Sequence, residues 1–295
     1  MKISVIIPTF HRRENLIGCL TALYNQTIEI DNFEVIVVNN SSEIIHLDPF
    51  SSQANFCLLN ELKPGSYAAR NTGIRNAKYS IIAFLDDDCI PAMNWVETII
   101  WNFETNQMVE RLAGKIELIK NINNPNDLIF SFENRFHFRN KQVVDSIKSC
   151  VTANCAMKSE LFKKVGFFNE TVFSGADIEW GLRASSIEIS INYVDDLLVY
   201  HQSRDGIVHL IKKHKRIAGG RSNLNLSKFY TNSPGNKSKY LIKLASKSIS
   251  LIFDKKVSTI FSIRLGVLFL FIFLLFVRAF ERFLLLLKLK QHERE

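Results

Sequence analysis

Sulfur chemistry is nearly absent from this chain. Its five cysteines, Cys19, Cys57, Cys89, Cys150 and Cys155, are odd in number and scattered, with no Cys-x-x-Cys pair. Neither a disulfide framework nor a zinc site is indicated, and a reducing cytoplasm fits best. There is no internal repeat and no low-complexity tract. Residues 1–10 hold too short an apolar run and no small-residue cleavage site, so they read as a first strand rather than a signal peptide. Basic residues interleaved with groove-reading motifs are also missing, so nucleic acid is not an expected partner despite a net charge of +8. That charge equally suits an anionic membrane surface or a phosphate-bearing ligand.

What is present is a chain of 295 residues, 47% hydrophobic, enough for one large domain or one domain plus an appendage. Apolar stretches of strand length, residues 3–7, 34–38, 56–59 and 81–85, alternate with amphipathic runs after Arg13 and Gly65. The alternation predicts an α/β fold with a mostly parallel central sheet flanked by helices. Continuous apolar strands such as Val35-Ile36-Val37-Val38 imply burial on both faces. Ligands of such sheets bind at the carboxyl ends of the strands. A helix is expected through Trp95 and Ile99, a less regular stretch over 120–149 with a loop at 123–126, and a strand at 151–157 entering a short helix closed by Gly166.

The C-terminal part changes character. Residues 265–277 are almost wholly apolar and 283–287 add a second run, with Arg278, Glu281 and Arg282 between. A bilayer span needs about 20 apolar residues, reached here by extending back through Thr259 and accepting Arg264 near one end. A helix lying in the membrane interface and a buried core helix are the other two readings. The expected division is a catalytic domain at 1–225 and C-terminal membrane-directed helices at 226–295.

The candidate chemistry sits at strand ends. Phe84-Leu85 is followed by Asp86, Asp87 and Asp88. Three adjacent carboxylates repel, and such hard oxygen ligands suit Mg²⁺ or Mn²⁺ bridging a diphosphate; a solvated acidic turn is the plain alternative. Asp177 and Glu179 open a helix-like run to Ser186, as reactive acid or as helix cap. His201 ends an apolar stretch and becomes a metal ligand if it converges with Asp88, a structural histidine otherwise. Arg70 follows the turn at Gly65 and pairs with phosphate or carboxylate, or lies on the surface. The basic run 212–216 reads as a diphosphate clamp, a lipid contact or a solvated helix face. A nucleotidyltransferase would carry a Gly-rich loop after the first strand, and Pro8-Thr9-Phe10-His11-Arg12-Arg13 has no glycine.

Taken in order, these residues resemble glycosyltransferase family 2, whose members adopt the GT-A fold. Val5-Ile6-Ile7-Pro8-Thr9-Phe10 is similar to the family's first strand and donor-binding turn, and Val37-Val38-Asn39-Asn40-Ser41-Ser42 to the second-strand segment contacting the nucleobase. Ala69-Arg70-Asn71 with Gly73, then Phe84-Leu85-Asp86-Asp87-Asp88 and Pro91, continue the pattern. Ala153-Asn154-Cys155-Ala156-Met157 with Gly166-Phe167-Phe168 resemble its acceptor-side strand and helix, and Ala176-Asp177-Ile178-Glu179 with Leu182-Arg183 the segment bearing the base. Asn39 stands where the family usually has Asp; its amide still accepts from a uracil N3–H. Ala176 stands where an acid often precedes the base, and the Gln-x-x-Arg-Trp motif of processive members is not found.

The resemblance implies metal-dependent, inverting transfer of a single sugar from a nucleotide-sugar, UDP favoured, to the hydroxyl of a glycan or lipid-linked acceptor. It casts Asp177 as general base, Asp88 with His201 as holders of Mn²⁺ or Mg²⁺, and Asp86 and Asp87 as contacts to ribose and to waters around the ion. Arg70 would stabilise the nucleotide end, Asn40 would read the base, and Pro8, Thr9 and Asn39 would line the donor. With a membrane-directed C-terminus, the expected setting is surface-polysaccharide or glycolipid assembly at the cytoplasmic face of the cell membrane.

Overall fold

In the computed structural model, residues 1–224, 250–287 and 289 are described. The anticipated boundary at 225/226 lies outside the described residues. Contacts divide the chain into two compact units, one of Met1–Glu117 with Arg139–His201, the other of Leu118–Phe138 with Gln202–Glu295.

The first unit is built on strands β1 (Ile3–Thr9), β2 (Phe33–Asn39), β3 (Phe56–Asn60), β4 (Ile81–Leu85), β5 (Cys89–Pro91), β6 (Arg111–Ile119), β7 (Asn154–Lys158) and β8 (Asn192–Gln202). They form one sheet in the order β3-β2-β1-β4-β7-β6-β8-β5. Helices α1 (Arg13–Tyr24) and α2 (Ser66–Asn76) make the crossovers among β1 to β4, and α3 (Trp95–Thr105) follows β5. The parallel sheet read from sequence is the half comprising β3, β2, β1 and β4. Beyond β4 the pairing turns antiparallel, β4 with β7, β7 with β6, and β5 with β8, giving a mixed sheet. Every residue of β1 and β2 is buried, as continuous β-branched strands covered on both faces must be. The polar pair among them is satisfied: Ser4 Oγ donates to Glu34 at 2.6 Å, and Glu34 accepts the Lys78 N–H at 2.7 Å.

β6 depends on one glycine. A Cβ at Gly114 would sit 2.2 Å from Asn154 Nδ2 and from the Leu197 carbonyl. That opening lets the buried Asn154 amide donate to Leu197 O and Lys115 O at 2.8 Å, while its oxygen accepts the Trp95 indole N–H at 2.9 Å. The stretch expected to be irregular holds two helices, α4 (Asp127–Phe136) and α5 (Asn140–Ile147). The expected loop at 123–126 is there, but it ends in a cap, since the Asn126 side chain accepts the Ile129 N–H at 3.0 Å. Chain order continues with α6 (Leu161–Val165), α7 (Ala176–Ser186), α8 (Ile207–Asn223) and α9 (Phe261–Leu286).

Arg111 is the charge at the centre of the antiparallel half. It is fully buried with no carboxylate partner among the described residues, donating instead to the carbonyls of Ile189 at 2.7 Å, Ser190 at 3.1 Å, Lys148 at 3.3 Å and Gly181 at 3.4 Å, and to Ser185 Oγ. The Ser185 and Ile189 acceptors lie at the C-terminal end of α7, where the helix dipole favours a cation. Burial pushes its pKa down from the ordinary arginine value.

In the second unit, α9 packs on α4 and α8 through Val267, Leu270 and Leu274 with Ile129, Phe132 and Leu210. The two apolar runs expected at the C-terminus form one helix of 26 residues among the described residues. It continues through the charged break because Glu281 is buried and Arg278 Nε donates to His214 Nδ1 at 3.0 Å. The basic run 212–216 is divided around α8: Lys212 and Lys215 are exposed, while Lys213 lies 3.7 Å from buried Glu133 and His214 faces Arg278. Burial alone would raise the Glu133 carboxyl, yet the His137 hydrogen bond and the Arg204 and Lys213 charges hold it well below the usual range.

Arg111→Ala strands several buried carbonyls and opens a cavity, so chemical denaturation should give an unfolding free energy lower by about 3–5 kcal/mol. A loss under about 1 kcal/mol, the scale of an ordinary surface substitution, would contradict this account of the antiparallel half.

Candidate active site

The end of β4 delivers Asp86, Asp87 and Asp88 into the turn before β5. Each carboxylate meets a different partner. Asp86 is paired with the buried Arg70 of α2. Asp87 is itself buried and accepts from Thr9 Oγ1, at the end of β1, at 2.8 Å. Asp88 accepts from Arg12 Nη1 at 2.7 Å and lies 3.3 Å from His201 Nε2. The last contact follows from strand register, because β5 and β8 pair with Cys89 opposite His201. Pro8 and Thr9 complete β1 beside Val38 and Asn39.

Crowding shows in the acidity of Asp87. Burial first, then the neighbouring Asp88 charge, push its carboxyl up to about 7, against the pull of Arg12 and Thr9. A bound cation is the natural relief for such a cluster. Asp88, Cys89 and His201 place their ligating atoms within 4.8 Å of one another. Among these, the carboxylate and the imidazole are the donors that hard divalent ions prefer. That donor set fits a hard or borderline divalent ion such as Mn²⁺ or Mg²⁺.

Asp177 lies in the first turn of α7, behind Gly175, whose φ of 89° is a left-handed conformation that suits glycine. Its Oδ1 accepts from Tyr67 Oη at 3.0 Å and the Ile178 N–H at 2.9 Å, and its Oδ2 from the Thr152 N–H at 3.4 Å. Tyr67 Oη in turn accepts the Gly175 N–H at 3.1 Å. Burial raises the Asp177 carboxyl above its ordinary value, while the Ile178 N–H, the Arg70 charge and Tyr67 oppose the shift. Glu179 is engaged elsewhere, in an ion pair with Arg183 at 2.7 Å. Arg70 lies over the Tyr67 ring at 5.6 Å, so Asp86, Arg70, Tyr67 and Asp177 form one connected series from the acidic turn to α7.

Asn39 and Asn40 are brought to the ends of the parallel strands, but their amides point into the protein. Asn40 Nδ2 donates to Glu61 O at 2.6 Å and Lys63 O at 2.8 Å, and its Oδ1 accepts the Gly65 N–H at 2.8 Å. Asn39 Nδ2 donates to Glu43 O at 2.8 Å and Asn60 Oδ1 at 3.2 Å. Both side chains brace loops. Beside them a groove of about 400 Å³ is lined by Ser41 to Ile45, Leu58, Asn60 and Leu62, with Ile44 and Leu62 strongly exposed at its rim.

Sequence reasoning passed over Arg12 and Tyr67. Tyr67 had a signal, since it precedes Arg70 by three residues on one helix face. Arg12 had none beyond following the first strand.

Residues 4–166 match the profile of Glycosyl transferase family 2. The chain belongs to this family. Among curated relatives of this family 2 chain, glycosyltransferase AglE of Haloferax volcanii is 32% identical over 74% of the chain and 72% of its own length. A chondroitin synthase of Pasteurella multocida is 26% identical, over 69% of the chain but only 25% of that enzyme. Among solved structures, S. aureus TarS 1–349 in complex with UDP-GlcNAc superposes with a TM-score of 0.55 at 18% identity, over 77% of this chain and 68% of TarS. That similarity shows the GT-A fold expected from the sequence.

The environment of Asp177 makes its titration testable by carbon-detected NMR of the side-chain carboxyls. Its midpoint should lie above about 3.9, the value of a free aspartate. Arg70→Gln and Tyr67→Phe should each move it further up, because each removes an interaction that favours the charged form. A midpoint at or below the free value would contradict the burial argument.

Proposed function

We propose that this family 2 glycosyltransferase moves one sugar from a UDP-sugar to an acceptor hydroxyl by direct displacement, with inversion and with a divalent metal. The observation that carries this reading is the linkage of the two reactive ends through Arg70 and Tyr67. Asp177 is the general base: a carboxylate of raised basicity takes a hydroxyl proton more readily than an ordinary aspartate. Tyr67 and the Thr152 and Ile178 N–H groups orient it. Asp88 and His201 would hold Mn²⁺ or Mg²⁺, which would supply positive charge to the diphosphate leaving group. Arg12, already at Asp88, is placed to follow the diphosphate, and Arg70 holds Asp86 in position toward the ribose. Asp87, Thr9 and Pro8 form the floor of the donor site.

The nucleobase is assigned to the groove beyond Asn39 and Asn40. With both amides committed to loop carbonyls, recognition falls to the rim that they brace, including Ile44, Leu62 and nearby backbone groups. Asn39 and Asn40 thus act on the base by shaping its pocket. The UDP-GlcNAc bound by TarS, of the same fold, supports a UDP-sugar donor. A glycan or lipid-linked acceptor, and attachment of residues 226–295 to the cytoplasmic face of the cell membrane for surface-polysaccharide or glycolipid assembly, accord with the apolar length of α9. The catalytic domain of this reading is residues 1–225.

Purified full-length protein, screened against nucleotide-sugars without acceptor, should release UDP slowly by hydrolysis with Mn²⁺ or Mg²⁺ and stop with chelator. Asp177→Asn should lower that turnover by about 10²–10⁴, the usual contribution of a general base, while calorimetry still shows UDP binding. Asp88→Ala should abolish the metal dependence of binding. Only the deprotonated base accepts a proton, so kcat/KM should fall as pH drops through the raised Asp177 pKa and level off above it. Metal-independent turnover, or an Asp177→Asn variant of full activity, would sink the mechanism.

A further inference from the structure

α9 has two opposed faces. Val267, Leu270, Leu274 and Glu281 are buried on one side. On the other, Phe269, Ile272, Phe273, Phe276, Phe280 and Phe283 are exposed, Phe269 at 69% and Phe276 at 67%. Their spacing of three and four residues makes one continuous stripe, about 21 Å long at 1.5 Å per residue. An exposed aromatic stripe of this length marks an interaction surface.

Two observations argue against a helix that crosses a bilayer. α9 is long and apolar enough to cross a bilayer, but its uncharged stretch between Arg264 and Arg278 is 13 residues, about 20 Å against a hydrocarbon core of about 30 Å, so a span would have to carry an arginine at or inside the hydrocarbon edge. The inner face is also tied to polar helices: Glu281 is buried there, Arg278 bonds His214 of α8, and α8 exposes Lys212 and Lys215. Insertion along the membrane normal would carry those charges into hydrocarbon, where each is strongly unfavourable.

The charge of the chain is divided unequally. The unit containing α9 holds 21 Lys and Arg against 7 Asp and Glu, whereas the unit with the acidic site holds 16 against 22. Lys255 and Lys256 before the helix and Arg282 near its end are exposed. Two copies joined through this face would bring strongly basic units together and repel. Anionic lipid complements both the stripe and the charge.

We infer that α9 lies in the plane of an anionic bilayer interface as a monotopic anchor, its phenylalanine stripe in the acyl boundary and the basic residues of its unit on the headgroups. This rests on the membrane attachment proposed above and is independent of the transfer chemistry.

Two measurements on the full chain test it. In flotation, the protein should rise with vesicles of mixed zwitterionic and anionic lipid and bind purely zwitterionic vesicles more than tenfold less. The double variant Phe273→Asp/Phe276→Asp, altered only on the outward face, should lose more than tenfold of the binding. Unchanged flotation of that variant, especially with loss of a dimer on gel filtration, would overturn the inference in favour of a chain–chain interface. In expressing cells, Ser258→Cys and Glu295→Cys variants are treated with a membrane-impermeant maleimide, with the unsubstituted chain as control. Both cysteines should react only after permeabilisation. Reaction of one before permeabilisation would mean that the helix crosses, overturning the inference while leaving membrane attachment intact. Failure of the unaltered chain to float would overturn attachment as well, and UDP release would still report on the transferase independently.

Discussion

The crowding of three carboxylates at the end of β4 is the constraint around which the catalytic unit is arranged. At separations of a few ångströms, like charges taken from water repel strongly, and the fold brings a partner to each. Arg70 comes from α2, Thr9 from the end of β1, and Arg12 and His201 from the loop after β1 and from β8. These partners converge only because β1 lies beside β4 and β5 pairs with β8. Burial, and after it the Asp88 charge, still raise the Asp87 carboxyl.

The same series of contacts governs Asp177. Burial raises its basicity, and Arg70, Tyr67 and two backbone N–H groups limit the rise. Arg70 therefore acts at both ends of the site, neutralising Asp86 and moderating Asp177 through its charge.

Charge separation between the units has a related logic. The unit holding the acidic site is net acidic and unsuited to an anionic surface, whereas the unit bearing α9 is basic and carries the exposed aromatic stripe. Within that unit the polar cluster of Glu133 with His137, Arg204 and Lys213 keeps the interior satisfied, leaving the outward face of α9 apolar.

Sequence reasoning located the parallel strands β1 to β4, the crossover helices, the acidic turn, the segment holding Asp177 and the apolar C-terminus. All of these are local: strand burial shows in continuous β-branched runs, and a strand end is adjacent in sequence to what it presents. It read α4 and α5 as irregular and passed over β6, because short elements whose apolar residues face a particular neighbour carry little periodicity of their own. The convergence of His201 on Asp88 was conditional in the sequence and realised by antiparallel register. The inward turn of the Asn40 amide, the Arg12 contact to Asp88 and the role of Tyr67 were decided by tertiary structure alone. Each depends on which distant backbone group or charge arrives within hydrogen-bond reach, and residue type and spacing do not specify that distance.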